Sequence, residues 1–585
     1  MRTRRVLWPF FALLLLVGGV GAQPAAPERG GLNSIDADEL KEWLSYLASD
    51  QLEGRQLYTE GLGLAAAYIA DHLKTWGVKP AGENGSYFQT VKVRGVRASS
   101  NASVTVEVNG EKRTFKDAEG IAFPRNMGGK QVIKGDDIRF VGYGLQVPSA
   151  NMDDYANADP KGKVIVYLGS GPKTLPPGSN RLIAARARNA VEQGAIAVIG
   201  PPGAGRGRRG GAAAPAPAAP NSAAPAGAEA RGPQPAPRGG FGQPDNGDFT
   251  TAQRLDLPIV PALAAEDAFF EFLFSGSEIK YSQLKELSAN QDPLPPFALH
   301  GVKLTINVDA DYTVVRTQLT RNVVGIVPGA DAALKDSYVA FGAHYDHVGY
   351  SQLPAATGRG FGGNAPGGCT GQTRDTPPAG DVISNGADDD GSGTVALMAL
   401  AKAFALGPKP KRSLLFVWHS GEEAGLYGSR YNADFPVVPI DRIAALLNID
   451  MIGRNRCDNP AEGNTVYIVG ADRISTELHE LNEAANEKLP KPLRLDYELN
   501  DPADPESIYT RSDHYSYAAK GIPIIFYTTG LHRDYHYVTD EVSKINFPKL
   551  ARITQLVYAT AAKVANLDHV PARDYKGARA GKGTR

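Results

Sequence analysis

Apolar residues recur with helical spacing near the start of the chain. Leu40, Trp43, Leu44 and Leu47 lie three or four positions apart, which is the spacing of one face of an α-helix. A similar pattern follows it directly, so residues 36–76 are predicted to form two helices. This amphipathic pattern indicates that both helices pack one face against a folded core.

From about residue 315 the pattern alternates between short apolar runs and helical stretches. Such alternation favours an α/β fold in which a mixed, mostly parallel sheet is flanked by helices. The expected strands are 322–327, 338–343, 414–418, 444–449 and 522–527, and the expected helices are 393–405, 475–488 and 547–567. Ligands bind beyond the carboxyl ends of parallel strands, so the chemistry is predicted directly after these strands.

The middle of the chain has a different pattern, with short β-rich stretches and one helical segment. Within it, residues 202–240 are almost only Gly, Ala, Pro and Arg, a composition that cannot bury a core and predicts a disordered surface loop. The predicted organisation is N-terminal helices and lead-in at 30–130, a β-rich unit at 131–300, the α/β domain at 301–567 and a basic, flexible tail at 568–585.

The N-terminus has the pattern of a targeting segment. Arg4 and Arg5 precede an apolar run over residues 6–20, and small residues follow it. The run is shorter than a comfortable membrane span, so residues 1–22 are predicted to be a signal peptide. The alternative is an N-terminal anchor helix. A signal peptide predicts export to the periplasm or beyond the cell, with no stable membrane span after its removal.

Composition narrows the class of protein. The 585 residues are too many for one ordinary core, so two or three folded units are expected. Hydrophobic residues make up 42% and charged residues 21%, and the formal net charge is -1; this balance is typical of a soluble protein and argues against a nucleic-acid partner. The two cysteines, Cys369 and Cys457, would meet an oxidising compartment after export, so either a disulfide or two separate thiols remains open.

Acidic and imidazole side chains follow the predicted strands. The clusters are His344-Tyr345-Asp346-His347, Asp388-Asp389-Asp390, Glu422-Glu423, Asp450, and the run from His532 to His536. Each alone has a simpler explanation as a helix cap, a turn or a solvated pair. Together at one sheet edge, these carboxylates would repel one another unless cations compensate them. A mixed histidine and carboxylate set suits zinc, with manganese or cobalt as alternatives.

The motifs around these clusters are specific. GAHYDHVG, GADDDGSG, SGEEAGLYGS, NIDMIG and GLHRDYH occur in this order, and together they resemble metallopeptidase family 28, the di-zinc aminopeptidases. The resemblance covers residues 36–76 and about 315–566, and it implies the zinc aminopeptidase (phosphorylase/hydrolase-like) fold. In the middle unit, GKVIVYLG, EQGAIAVIG and LPIVPALAAEDA resemble a protease-associated domain inserted into that fold.

The resemblance implies a site for two zinc ions. The first ion would have His344, Asp389 and Asp450 as ligands, and the second would have Asp389, Glu423 and His536. Asp388 and Asp390 compete with Asp389 for the bridging position, and the spacing back from the following Gly-Ser-Gly favours Asp389. His532 is the rival of His536. In the family the peptide bond after the bridging aspartate is cis, so a cis bond is expected between Asp389 and Asp390.

Three further residues receive catalytic roles from the resemblance. Glu422 would be the general base, Asp346 would fix the orientation of the His344 imidazole, and Tyr535 would stabilise an oxyanion. Arg511 lies in a stretch that also resembles the family near its pocket, without a definite role. The implied activity is hydrolysis of peptide bonds at the N-termini of peptides or proteins.

Four other functions are compatible with parts of the sequence. A carboxypeptidase or dipeptidase would use the same site. A one-zinc acyltransferase that resembles glutaminyl cyclases, or a non-catalytic binding protein, should lack ligands that are present in this sequence. A phosphate-binding enzyme would need a glycine-rich loop between a strand and a helix, and no convincing one is found.

Overall fold

A computed structural model of the chain describes residues 30–147, 152–175, 179–202, 248–350, 369 and 374–575. The predicted signal peptide, residues 203–240 of the predicted loop and residues 576–585 of the tail lie outside the described residues. In the part of the chain that is described, no helix combines the length and the apolar character needed to cross a membrane.

Ten α-helices occur in the described residues. They are α1 (Ala37–Leu47), α2 (Glu60–Thr75), α3 (Asn180–Glu192), α4 (Asp267–Leu273), α5 (Tyr281–Ala289), α6 (Gly393–Leu406), α7 (Tyr427–Asp434), α8 (Thr476–Asn486), α9 (His514–Ala518) and α10 (Phe547–Asn566). The two helices predicted within 36–76 and the three predicted after residue 390 are confirmed, with small shifts at their ends.

The strands of the same residues, in chain order, form two large sheets and two small ones. They are β1 (Lys79–Pro80), β2 (Phe88–Ser100), β3 (Ser103–Val108), β4 (Glu111–Asp117), β5 (Gly120–Ala122), β6 (Gln131–Gly135), β7 (Ile138–Phe140), β8 (Gln146–Val147), β9 (Met152–Asp153), β10 (Val164–Val166), β11 (Ala197–Gly200), β12 (Phe249–Thr251), β13 (Ala262–Ala265), β14 (Phe297–Ala298), β15 (Val302–Val308), β16 (Ala310–Val327), β17 (Tyr338–His344), β18 (Gly349–Tyr350), β19 (Ile383–Ser384), β20 (Ser413–His419), β21 (Ile443–Ile449), β22 (Thr465–Val469), β23 (Arg494–Asp496) and β24 (Ile524–Thr528).

The main sheet is mixed and has the order β12-β2-β16-β20-β17-β21-β24-β22-β23, with β1 also paired to β16. Its four central strands, β20, β17, β21 and β24, are parallel neighbours. The pairs β2–β16, β16–β20 and β22–β24 are antiparallel. The central strands are mostly apolar and almost entirely buried, as expected for parallel strands covered on both faces. The predicted α/β class with a mixed sheet is confirmed.

Helices cover both faces of the main sheet. On one face, α1, α2, α6 and α10 pack together over a core that includes Phe341, Phe404 and Trp418. On the other face, α9 contributes Tyr517 to a second core with Val417 and Phe526. Helix α6 is apolar around almost its whole circumference, and 11 of its residues are buried, which is typical of a helix enclosed by other elements.

A second unit has its own sheet, in the order β14-β7-β10-β11-β13-β5-β4-β3-β15-β6, and its own apolar core. Its strands run from Ser103 to Val308, so the predicted boundary at residue 131 falls inside this sheet. Helix α3 of this unit contacts the main domain, where Glu192 accepts a hydrogen bond from the Tyr515 hydroxyl at 2.7 Å. Its identity as a protease-associated domain stays a prediction.

Candidate metal centre

The predicted acidic and imidazole residues meet at the carboxyl edge of the central strands. His344 is the last residue of β17, and Asp450 directly follows β21. Glu422 and Glu423 lie in the turn after β20, and His536 lies in the loop after β24. Because these four strands are parallel neighbours, the segments that follow them converge. The segment before α6 contributes Asp389 to the same place.

The first group of donor atoms is formed by His344, Asp389 and Asp450, all of which are buried. The Nε2 atom of His344 lies 3.3 Å from Asp389 Oδ1 and 3.7 Å from Asp450 Oδ2. The Ser512 hydroxyl donates to Asp450 Oδ2 at 2.6 Å, which fixes the carboxylate. This is the set that the resemblance assigned to the first ion.

The second group lies on the other side of Asp389. The Nε2 atom of His536 is 2.9 Å from Glu423 Oε2 and 3.0 Å from Asp389 Oδ2. His347, which had no predicted role, also lies in this group. Its Nδ1 atom is 2.9 Å from Glu423 Oε1. His347, Asp389 and Glu423 have donor atoms within 4.8 Å of one another.

Asp389 connects the two groups, since Oδ1 faces His344 and Oδ2 faces His536. Asp388 and Asp390, the other two candidates for the bridging position, have different contacts. Asp390 accepts main-chain N–H donors, from His344 at 3.0 Å and from Gly393 at 2.9 Å. Asp388 accepts the Gly453 N–H at 2.6 Å. The peptide bond between Asp389 and Asp390 is cis, as the resemblance implied.

His532, the rival of His536, lies behind the site. Its Nε2 atom is 3.4 Å from Asp388 Oδ2 and 3.8 Å from Asp540 Oδ1. Asp540 Oδ2 also accepts the N–H groups of Asp388 and Asp389, at 3.0 and 3.2 Å. His532 therefore belongs to a buried polar cluster that supports the Asp389 segment, whereas His536 faces the donor groups.

Asp346 makes a different contact from the one predicted. The Nδ1–H of His344 donates to the main-chain carbonyl of Asp346 at 3.0 Å, while the nearer carboxylate oxygen is 3.9 Å away. That carboxylate oxygen accepts the Glu422 N–H at 3.2 Å. The main chain of Asp346 thus orients the imidazole, because the loop after β17 turns its carbonyl toward the ring, and the side chain of Asp346 holds the turn that carries Glu422.

The two adjacent glutamates have opposite electrostatic environments. Burial, reinforced by the neighbouring carboxylates, raises the pKa of Glu422 well above its usual value although His344 opposes the shift. Burial also raises the pKa of Glu423, but His536 and His347 outweigh it and lower the pKa to about 2. The histidines beside Glu423 thus favour its ionised form, whereas the surroundings of Glu422 favour its protonated form.

A pocket opens beside the two groups. Glu422, Arg511, Leu531 and Tyr535 line it, together with His344, Asp389 and Asp450. The Arg511 guanidinium donates to the Tyr535 hydroxyl oxygen at 3.3 Å and pairs with Glu506 at 2.9 Å. Burial raises the pKa of Tyr535 to about 12, so its phenol keeps the proton that it could donate to an oxyanion.

Cys369 and Cys457 form a disulfide, which settles the alternative left open by the sequence. The bond closes a separation of 88 residues along the chain. The main-chain N–H of Cys457 donates to the carbonyl of Leu531 at 2.9 Å, and Leu531 lines the pocket. The disulfide therefore links Cys369 to a residue that contacts the wall of the pocket.

Arg55 is a supporting residue that sequence reasoning missed. Its side chain is completely buried and donates to four main-chain carbonyls: Leu47 at 2.6 Å, Asn385 at 2.8 Å, and Tyr345 and Gly386 at 2.9 Å. It thereby links the N-terminal helices to the segments that carry His344 and Asp389. The only sequence signal was an arginine directly after a glycine between two helices, which is too common to indicate this role.

The donor set fits divalent cations. Asp389 Oδ2 and His536 Nε2 are buried and lack hydrogen-bond partners among the described residues, although they lie 3.0 Å apart. The site contains the carboxylates of Asp389, Glu422, Glu423 and Asp450, and such a concentration of negative charge needs compensating cations. Histidine nitrogen and carboxylate oxygen together are the ligands that zinc commonly has in enzymes.

Removal of divalent cations is expected to lower the thermal stability of the protein. A ligand that binds only the folded state raises the free energy of unfolding by RT ln(1 + [L]/Kd). This is about 4 kcal/mol when the free ligand concentration is 1,000 times Kd. Chelation would also leave the clustered carboxylates uncompensated. Thermal unfolding should be compared before and after dialysis against a chelator, and after zinc is restored. A midpoint that stays constant while metal analysis shows complete removal would contradict the expectation.

Comparison with known proteins agrees with this site. Residues 322–561, about two fifths of the chain, match the model of peptidase family M28. This segment contains both donor groups, and it starts in β16 and ends in α10. Residues 322–561 thus match peptidase family M28, and the resemblance found in the sequence motifs is confirmed for this segment.

Curated relatives match parts of the chain. The leupeptin-inactivating enzyme 1 of Streptomyces exfoliatus is 31% identical over 148 residues, which is 25% of this chain and 30% of the relative. A probable leucine aminopeptidase of Trichophyton verrucosum (strain HKI 0517) is 26% identical over 258 residues, 42% of this chain and 56% of the relative. The chain thus spans about half, or less, of the length of these relatives.

Alignments with solved structures cover more of the chain. The aminopeptidase from Aneurinibacillus sp. strain AM-1 is 18% identical and has a TM-score of 0.41, with 94% of this chain and 99% of that chain covered. The peptidase M28 precursor from Shewanella amazonensis SB2B is 15% identical and has a TM-score of 0.37, with 92% and 97% covered.

Proposed function

We propose that the protein is an exported metallopeptidase that holds two zinc ions and releases residues from the N-termini of peptides or proteins. The observation that carries this proposal is the position of Asp389, whose two carboxylate oxygens face two different sets of histidine and carboxylate donors. A shared carboxylate between two such sets is the arrangement expected of a two-metal hydrolase. The match of residues 322–561 to peptidase family M28 supports the same reaction class.

The residues that would hold the ions follow from the two groups. His344, Asp389 and Asp450 surround the first position, and Asp389, Glu423 and His536 surround the second. When bound, a pair of zinc ions lowers the pKa of a water toward about 7 and polarises a carbonyl oxygen. Manganese and cobalt accept the same donor types and are possible substitutes.

Glu422 is proposed to move the proton. Its Oε2 atom is 4.0 Å from His344 Nε2, at the wall of the pocket, and its backbone is held by Asp346. A carboxylate in this position can take a proton from the attacking water and pass it to the amine that leaves. Glu423 is not free for this role, because both its oxygens face histidines.

Tyr535 and Arg511 are proposed to stabilise the oxyanion of the tetrahedral intermediate. Arg511 donates to the Tyr535 oxygen, so the hydroxyl hydrogen remains available for a second partner in the pocket. A preorganised donor of this kind is worth about 2.7–4 kcal/mol in the transition state. The guanidinium adds positive charge on the side of the pocket where negative charge would develop.

Recognition of a free N-terminus is proposed from the charge of the site. The Glu422 carboxylate is nearly buried and belongs to neither donor group, so both ions would leave its charge available to attract a substrate ammonium group. An acetylated N-terminus offers no such charge. Two relatives are described as an aminopeptidase from Aneurinibacillus and a probable leucine aminopeptidase, which supports the N-terminal choice.

Export is proposed from two features. The predicted signal peptide directs the chain out of the cytoplasm, and the Cys369–Cys457 disulfide would persist in an oxidising compartment. The predicted partners are therefore extracellular or periplasmic peptides.

Assays on matched substrates test the proposed activity. Leucine p-nitroanilide should be hydrolysed, and the N-acetylated compound should be hydrolysed at least about 100-fold more slowly, because it lacks the charge that Glu422 would attract. An N-blocked dipeptide with a free carboxyl group tests for carboxypeptidase activity. Hydrolysis of the blocked substrates alone would remove the aminopeptidase assignment while leaving the metallopeptidase assignment in place.

A further inference from the structure

His347 occupies a fixed position beside the second donor group. It is 1% exposed, and its main-chain N–H donates to the carbonyl of Arg55 at 3.1 Å. Gly386 packs against its ring so closely that a Cβ there would lie 2.5 Å from the ring carbons. Since any larger residue at position 386 would displace the ring, this glycine makes room for His347.

The donor atom of His347 lies where a ligand would be expected. Its Nδ1 atom is 2.9 Å from Glu423 Oε1 and 3.8 Å from Asp389 Oδ2. Ligand atoms that surround a zinc ion tetrahedrally at 2.0–2.2 Å are about 3.4 Å from one another, and these two distances bracket that value. The centre of the His347 ring is 5.7 Å from the centre of the His536 ring, with the two planes at 74°, so both rings approach the same space from different directions.

We propose that His347 is a fourth protein ligand of the second ion, together with Asp389, Glu423 and His536. This inference rests on the proposed two-metal function and deepens it. The second position would then have four protein ligands, whereas His344, Asp389 and Asp450 give the first position three. Zinc sites closed by four protein ligands are generally structural, and sites with three keep a position open for water or substrate.

The difference in ligand number gives the two positions different tasks. The second ion would bind first and more tightly, and it would hold Asp389 and Glu423 in place. The first position would keep an open side next to Glu422, whose Oε2 atom is 4.0 Å from His344 Nε2. The proton-moving residue is thus beside the position that remains open.

Stepwise titration of the metal-free protein tests the proposal. Calorimetric addition of zinc to the wild-type protein should show two steps, with the tighter one belonging to the second position. His347→Asn keeps an amide donor near the place of Nδ1, so a hydrogen bond to Glu423 can persist while the imidazole ligand is lost. Changes in residues behind a ligand cost about 10–100-fold in metal affinity, and loss of a direct ligand is expected to weaken the tighter step by more than about 100-fold.

The control variant is His479→Asn, which removes another buried histidine, in α8, away from both donor groups. It should leave both binding steps unchanged. If His347→Asn also leaves the tighter step within tenfold of the wild-type value, His347 is only a hydrogen-bond donor to Glu423 and the proposal is wrong.

X-ray absorption spectroscopy of the wild-type protein counts the imidazole ligands of zinc directly. This measurement does not depend on whether a variant folds. With one equivalent of zinc bound, the proposal requires two imidazoles per zinc; a single imidazole per zinc would overturn it. The result also separates this inference from the proposed function. One imidazole per zinc with two ions bound and N-terminal hydrolysis intact would reject only the role of His347, whereas a protein that binds no zinc would reject both.

Discussion

Replacement of Glu422 by glutamine is expected to leave both metal ions bound and to lower kcat by about 10²–10⁴-fold, the contribution typical of a general acid–base residue. Glutamine has nearly the same shape but cannot accept the proton of the attacking water. The Glu422 side chain lines the pocket without belonging to either donor group, so metal binding should not depend on it. Zinc analysis together with the rate of leucine p-nitroanilide hydrolysis measures both quantities.

Glu423→Gln is the matched control, one position along the chain. Glu423 has histidines within 2.9 Å of both its oxygens, so its replacement should lower metal content as well as activity. The contrast between the two variants separates proton transfer from metal binding. A Glu422→Gln enzyme with a near-normal rate, or one that loses metal as Glu423→Gln does, would show that the base has been assigned to the wrong residue.

Replacement of Arg55 by methionine is expected to lower the free energy of unfolding by about 3–5 kcal/mol, the usual cost of removing one partner from a buried charged network. Four carbonyl groups would lose their donor, and a buried unpaired polar group costs about 1–3 kcal/mol. Nearby carboxylates would also lose a compensating charge, since Asp389, Asp390 and Asp346 all act on the Arg55 guanidinium. Urea unfolding of the metal-free and zinc-bound forms measures the effect.

A second buried arginine provides the comparison for Arg55→Met. Arg412 is 1% exposed and donates to Ser337, Val564 and Leu567, away from the pocket. Arg412→Met should destabilise the fold without changing zinc affinity, whereas Arg55→Met should weaken zinc binding as well, because the segments carrying His344 and Asp389 lose their support. Equal zinc affinity in the two variants would mean that Arg55 contributes to folding alone.

The sequence by itself determined the order of the elements in the main domain and the chemistry at its edge. The apolar runs that became β17, β20, β21 and β24 are continuous and short, so they identify strands buried on both faces. Parallel strands place their carboxyl ends at one edge, and the sequence places acids and histidines directly after those strands. Both properties are local, and they are therefore visible without coordinates.

Other strands had weaker signals in the sequence. Strand β2 alternates buried and more accessible residues over much of its length and pairs with β16, yet it is absent from the strands that the sequence predicts. The sheet of the second unit begins at Ser103, before the predicted boundary. Antiparallel strands with many polar residues resemble loops in composition, so their pairing partners decide their structure.

Contacts between distant segments were decided only by the tertiary structure. Nothing near Arg55 in the sequence indicates that it meets carbonyls about 290–330 positions away. The same holds for the Cys369–Cys457 disulfide, and for the approach of His347 to Glu423. The sequence specifies which groups are present at the strand ends. Which atoms of these groups face one another is decided by how the loops from different strands pack. This packing depends on side-chain direction and on main-chain hydrogen bonds across the fold.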